Sequence, residues 1–178
     1  MADITLRSYK PSDRAWLVDQ DQPLYRRDEG FDDTFGPLGD NILQDFECGH
    51  DPAREHGWIA EADGRRLGSI CCVTRDADTA KLRMFLLVPE ARGKGAGKRL
   101  LAACMNFACR TAYRHMVLWT HESHKAACAL YAAFGWHLTR SEPVHSFGVY
   151  LVEQTWEIDL QPPCNRVGRG LNEPPVPP

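Results

Sequence analysis

The chain has 178 residues, 43% of them hydrophobic and 25% charged, with a formal net charge of −3. Those proportions suit one soluble globular domain, and the slight acidity argues against nucleic acid or an anionic membrane as a partner. No run of about 18 apolar residues is present, which excludes a membrane-spanning helix. The N-terminus lacks a basic stretch followed by an apolar one, so no secretory signal is expected and the expected location is cytoplasmic. Seven cysteines (Cys48, Cys71, Cys72, Cys104, Cys109, Cys128 and Cys164) show no C-x-x-C pair, and they read as reduced thiols of a cytosolic protein.

Ile4 and Leu6 alternate with polar neighbours and predict a first short strand. Ser12, after Pro11, can cap a helix that starts at Asp13 and ends near Asp21, ahead of Pro23. Phe35, Leu38, Ile42 and Phe46 recur at helical spacing and predict a second helix that Gly49 stops. From Leu17 to Asp51 acidic side chains outnumber basic ones, with only Arg26 and Arg27 opposing them. Two readings stay open for that run: a solvated helical face, or an acidic rim that attracts a cationic molecule.

Trp58-Ile59-Ala60 reads as a strand, Asp63-Gly64 as a hairpin turn, and Leu67 to Thr74 as the returning strand. After a polar turn at Asp76-Ala77-Asp78, the run Leu82 to Val88 is of buried-strand type. A helix from about Gly95 to Ala112 follows, with Leu100, Leu101, Cys104 and Ala108 along one face. Met116 to Trp119 is a further buried strand, and a helix from about Lys125 to Phe134 ends at Gly135. Trp136 to Thr139 and Tyr150 to Leu160 complete the set as strands. The order is β-α-α-β-β-β-α-β-α-β-β, an α/β (α+β) chain with a mixed, mostly antiparallel sheet flanked by helices. Residues 1–160 form the domain, and the Pro-rich stretch 161–178 is expected to be disordered.

The most informative stretch is the glycine turn Arg92-Gly93-Lys94-Gly95-Ala96-Gly97, set between the strand Leu82–Val88 and a helix. Glycines let the backbone approach a bulky anion, and the free N–H groups of the helix start favour negative charge. Arg92, Lys94 and Lys98 add positive charge, so the chemistry demanded is phosphate or pyrophosphate binding. A Walker A loop fails, because Lys98 is followed by Arg99 and only three residues separate Gly93 from Gly97. A dinucleotide fingerprint fails too, since the next strand ends in Trp119-Thr120 without the acidic ribose ligand. His121-Glu122-Ser123-His124 lacks the spacing of H-E-x-x-H, so no metal is expected.

Downstream, Ala127 to Trp136 spells A-x-x-x-Y-x-x-x-G-W across a helix end, with Tyr131 and Gly135 at the fixed places. Together with the glycine turn, this resembles the GNAT superfamily of acyl-CoA N-acyltransferases over roughly residues 3 to 160. Arg92 to Gly97 matches that family's R/Q-x-x-G-x-G/A pyrophosphate pattern in full. A narrower likeness, through Asp51 to Glu55, Leu118-Trp119-Thr120, His145 to Gly148 and Gln154 to Glu157, is to the acetyltransferase half of MarR/GNAT fusion proteins.

The resemblance implies acetyl-CoA as co-substrate, without a metal, lying between strands that splay apart after Leu82–Val88 and Met116–Thr120. It implies cofactor contacts from Leu86, Leu87 and Val88, from Arg92, Gly93, Lys94, Gly95, Ala96, Gly97 and Lys98, and from His124, which stands where many relatives carry Asn. Tyr131 falls on the tyrosine near the cofactor sulfur and is the expected general acid. Glu29, His145 and Glu153 are the candidates for general base, with an ordered water as the alternative. Tyr25, Phe31 and Trp119 are candidates for shaping the pocket. The implied acceptor is a primary amine of a small molecule. A protein or peptide acceptor, and a non-catalytic acyl-CoA-binding sensor, are the alternatives. Relatives are commonly dimers, which makes a homodimer the expectation, with the strand at Trp156-Glu157-Ile158 as its candidate interface.

Overall fold

A computed structural model of the protein describes residues 3–160. The stretch 161–178, expected from its prolines to be disordered, lies outside the described residues.

Seven strands form one sheet in the order β1-β2-β3-β4-β5-β7-β6. They are β1 (Thr5–Ser8), β2 (His56–Ala62), β3 (Arg65–Thr74), β4 (Thr79–Leu87), β5 (His115–His121), β6 (His137–Ser146) and β7 (Val149–Asp159). Only β4 and β5 run parallel; every other neighbouring pair is antiparallel. Four helices, α1 (Arg14–Glu29), α2 (Gly36–Gly49), α3 (Ala96–Arg110) and α4 (Lys125–Ala133), cover the two faces. The expected element order is therefore the observed one.

Two apolar layers sit on opposite sides of the sheet. Leu100, Leu101, Cys104 and Ala108 of α3 are fully buried against Ile70, Ala80, Met116 and Leu118. Full burial of one such leucine is worth ~1.5–3 kcal/mol, so this stripe fixes α3 firmly. On the other face Leu17 and Leu43 close over Ile59 and Leu86. The Asp63-Gly64 hairpin has both residues at positive φ, 49° and 71°, as a two-residue turn matched to strand twist requires.

The first helix departs from expectation at both ends. Ser12 does not cap it: Pro11–Asp13 forms a short 3₁₀ turn, and the Lys10 backbone N–H donates to the Asp13 carboxylate at 2.9 Å. Nor does Pro23 end it, because α1 continues to Glu29 and stops at Gly30, φ 74°. A mid-helix proline removes the bond to the carbonyl four residues earlier. Here that carbonyl belongs to Asp19, which like Pro23 is exposed, while Leu17 and Asp21 are held against the body of the protein.

β7 is paired on one edge by β5 and on the other by β6. Trp156 and Glu157 are therefore paired on both backbone edges, and the outer edge of that half of the sheet is β6. Among the described residues, no helix is long and apolar enough to cross a membrane. Cys48, Cys71, Cys72, Cys104 and Cys128 are free thiols, whereas Cys109 is disulfide-bonded and departs from the expected reduced state.

Candidate active site

Parallel pairing of β4 with β5 stops after Thr79↔His115, Ala80↔Met116 and Lys81↔Val117. Both strands run on, to Leu87 and His121, so from Lys81 they diverge and leave the facing edge of β4 without a strand partner. Buried backbone groups need partners, so an open strand edge inside a cavity is a ready ladder for a ligand carrying amides.

Within the diverging part of β4 lies a bulge. Ser69 stands opposite Leu86 and Cys71 opposite Arg83, which leaves Met84 and Phe85 facing Ile70 alone. Met84 takes a φ of 51°, and the Ser69 hydroxyl donates to its carbonyl at 2.7 Å. A non-glycine residue at positive φ next to a site is a device to note, and here it turns the strand toward the opening.

A cavity of about 790 Å³ fills the splay. Leu86 and Leu87 of β4 line one wall; Arg92, Gly93, Gly95, Gly97 and Lys98 line the mouth; His124 and Leu130 lie along α4. From α1 come Leu24, Tyr25, Asp28 and Glu29. Of the remaining expected contacts, Val88 and Ala96 are turned into the core, and Lys94 is exposed beside the mouth rather than in its wall.

Local chemistry explains the mouth. Gly95 is the N-cap of α3 at φ 85°, and no side chain caps the helix, so its leading N–H groups face outward. A Cβ added at Gly93 or Gly95 would meet nothing within 4 Å, which leaves room for a large anion. At Gly97 a Cβ would come within 2.9 Å of Leu87 Cδ1, so that glycine serves the close packing of α3 on β4. The turn fits a pyrophosphate, the strand edge fits an amide-bearing arm, and the volume lies within the range of small-molecule and cofactor sites.

Glu29 and His124 meet in the cavity, Oε1 to Nε2 at 3.3 Å, with the side chains 13% and 24% exposed. Thr120 Oγ1 lies 3.1 Å from His124 Nδ1. Burial, opposed by the nearby Glu29 carboxylate, holds the His124 ring below its usual value. A neutral ring with the proton on Nε2 then satisfies both neighbours, donating to Glu29 and accepting from Thr120. Glu29 is the last residue of α1, not part of the loop where it was expected.

Tyr131 lies beneath this wall, 3% exposed, with the rings of Phe85, Trp136 and Trp156 about it. Burial pushes its phenol well above the ordinary value, so it stays protonated. It does not itself line the cavity, although its neighbour Leu130 does. His145 and Glu153 are exposed on β6 and β7 and are not brought to the cavity; His145 packs on Tyr150 at 4.6 Å. Trp119 is also elsewhere, 58% exposed, with the Lys81 ammonium 3.4 Å over its ring.

Tyr25 joins the cavity to an aromatic cluster of Phe31, Phe35 and Phe147, with His121 against Phe31. The cluster ties the loop after α1 to the β6–β7 hairpin, where the Asp32 N–H donates to the Phe147 carbonyl at 2.9 Å. Asp28 and Leu24 were not anticipated, because the helix was expected to stop at Pro23. Continuing the apolar spacing from Leu17 to Leu24 and Tyr25 would have revealed them. Of the acidic run, Asp40 and Glu47 are taken up by Arg14, and Asp33 by Arg26. Among the described residues no group of three His, Cys, Asp or Glu side chains could hold a metal ion.

The model of the acetyltransferase (GNAT) family matches residues 15–136, more than half of the chain. The protein belongs to the acetyltransferase (GNAT) family. Among solved structures of similar fold is yncA from Salmonella typhimurium, solved with its cofactor acetyl-CoA. It has a TM-score of 0.73 and 20% identity, over 89% of this chain and 95% of that one. A GNAT-family acetyltransferase from Staphylococcus aureus Mu50 matches with a TM-score of 0.73 and 16% identity, over 89% and 100%. The ribosomal-protein-alanine N-acetyltransferase of Brucella melitensis matches with a TM-score of 0.71 and 16% identity, over 88% and 99%. A comparison with curated proteins finds no sequence match.

Proposed function

We propose that the protein transfers an acetyl group from acetyl-CoA to a primary amine of a small molecule, by direct attack on the thioester. The observation that carries this is the cavity in the β4–β5 splay, with an uncapped helix start and glycine turn at its mouth. Acetyl-CoA supplies the activated acyl group. The chain's own parts then have separable tasks. The leading N–H groups of α3, with Arg92 and Lys98, hold the pyrophosphate, and the open edge of β4 near Leu86 and Leu87 holds the pantetheine amides.

A backbone N–H near the Met84 bulge would meet the developing oxyanion, a contribution worth ~3 kcal/mol in other acyl transfers. Tyr131, kept protonated by burial, gives a proton to the departing sulfur. A small acceptor is favoured over a peptide by the bridge between Asp32 and Phe147 and the packed rings behind it, which close that end rather than leave a groove. The Brucella protein's substrate, a ribosomal-protein alanine, marks the peptide alternative. The likeness to MarR/GNAT fusion proteins rests on short sequence patches and adds no acceptor.

The test is mass spectrometry of pooled amines, amino acids and short peptides incubated with protein and acetyl-CoA. The expected result is one or a few small amines gaining a single acetyl group. Acetylation confined to peptide N-termini would replace the acceptor class. Acetyl-CoA binding without any product would leave the chain a sensor.

A further inference from the structure

The last turn of α1 is tied to two sides of the cavity. Asp28 and Glu29 are in the cavity wall, and so are the residues they reach. Glu29 joins His124, the residue that begins α4, through the 3.3 Å contact already described. Asp28 reaches the glycine turn instead: its Oδ2 lies 3.6 Å from Nη2 of Arg92.

Arg27 fixes how Asp28 is presented. Its Nε donates to Asp28 Oδ1 at 2.7 Å and its Nη2 to Oδ2 at 3.2 Å. The hydrogen bond from Arg27, with the charges of Arg27 and Arg92, holds the Asp28 carboxyl below its usual value, so it is an anion at neutral pH. A carboxylate and a phosphate engage a guanidinium through the same fork of donors. Arg92 is the cation assigned above to the pyrophosphate, and a carboxylate already stands against it. A pyrophosphate placed beside that carboxylate would set like charges together, which is unfavourable.

We propose that Asp28 is an internal competitor for the cofactor's pyrophosphate: it holds Arg92, and acetyl-CoA binds by taking its place there. This rests on the acetyltransferase reading. The exchange leaves no bare carboxylate, because Asp28 released from Arg92 keeps both bonds from Arg27. Glu29, 13% exposed and held by His124, keeps the end of α1 at the cavity while Asp28 lets go. The Arg92 and Asp28 side chains are 52% and 36% exposed, and ion pairs of that kind are weak. The competition therefore tunes the affinity for the cofactor and its salt dependence, and does not close the site.

Calorimetric titration of coenzyme A tests this on wild type, Asp28→Asn, Arg92→Gln, the double variant and Asp19→Asn. At low salt Asp28→Asn should bind ~2–5-fold more tightly than wild type, and the gain should fade at about 1 M salt. Arg92→Gln should bind more weakly, and adding Asp28→Asn to it should gain little, because the contested cation is gone. Asp19→Asn removes the same charge from an exposed place on the same helix and should leave affinity as it is. Equal affinity in wild type and Asp28→Asn would overturn the proposal. So would an equal gain from Asp19→Asn, or a full gain on the Arg92→Gln background, since either makes the effect one of net charge. Asp28 and Arg92 are surface side chains, so every variant should melt close to wild type. If no chain binds coenzyme A, the acetyl-CoA reading fails and the competitor with it. Binding by wild type that Asp28→Asn does not improve removes the competitor alone.

Discussion

At Tyr131, burial does two things that have to be separated. It packs a ring among Phe85, Trp136 and Trp156, and it holds the phenol in its protonated form far into alkaline pH. Replacing it by Phe keeps the packing and removes the proton. The expected outcome is a fall in turnover at near-normal coenzyme A affinity and an unchanged melting temperature, checked by steady-state kinetics beside calorimetry. Full activity across the pH range would remove Tyr131 as the acid. His121 presents the opposite case. Among the described residues its buried Nδ1 has no hydrogen-bond partner, and burial, helped by the neighbouring His124, lowers its pKa to about 4. Between that value and the unfolded value near 6.5 the unfolded chain binds the extra proton, so stability falls as pH is lowered. His121→Phe should therefore lose less melting temperature than wild type between pH 7.5 and pH 5.

Among the elements, β4 carries the site and shows how closely its neighbours constrain it. A Cβ on Gly68 of β3 would stand 2.3 Å from the Leu86 carbonyl oxygen, a backbone atom that cannot swing aside. Gly68→Ala is expected to cost ~1–3 kcal/mol in urea denaturation and to weaken coenzyme A binding, since Leu86 is in the cavity wall. At the start of α1, Asp13 is fully buried and accepts from both terminal nitrogens of Arg7, from Arg66 and from the Lys10 backbone. Burial raises its carboxyl, but the hydrogen bonds from Arg7, Lys10 and Arg66 outweigh that and bring it to about 2. Asp13→Ala would remove the buried carboxylate that Arg7 and Arg66 share, and a loss of about 3 kcal/mol is expected by chemical denaturation. Because these contacts tie α1 to β1 and β3, the same variant should loosen the helix that bears Tyr25 and Glu29.

Across the whole molecule, what the sequence revealed follows from the range of each physical signal. Strand and helix order were readable because apolar spacing, the Asp63-Gly64 turn and the α3 stripe are local patterns. The glycine turn at the cavity mouth was readable for the same reason: glycines, cations and a helix start lie within seven residues. α1 was cut short because proline's local preference was weighed without the burial of Leu17 that outlasts it. The Met84 bulge and the pairing of Asp28 with Arg92 had no local signature at all, since each exists only once β3, β4, α1 and the glycine turn are assembled. His145 and Glu153 were chosen by chemical type, and only the assembled sheet could show that their strands carry them away from the cavity.

On the proposed reading, acetyl-CoA binds in the β4–β5 splay, with its pyrophosphate on the glycine turn at the mouth. Calorimetric titration of coenzyme A into wild type and Gly95→Glu tests it most directly. A Cβ at Gly95 meets no protein atom, so the variant should fold, bearing only the left-handed backbone cost of about 1–2 kcal/mol. The added carboxylate, however, would occupy the place of the pyrophosphate with the same sign of charge. One coenzyme A should bind per wild-type chain, and none measurably in a folded Gly95→Glu. Unchanged affinity in that variant would contradict it and move the cofactor elsewhere on the molecule.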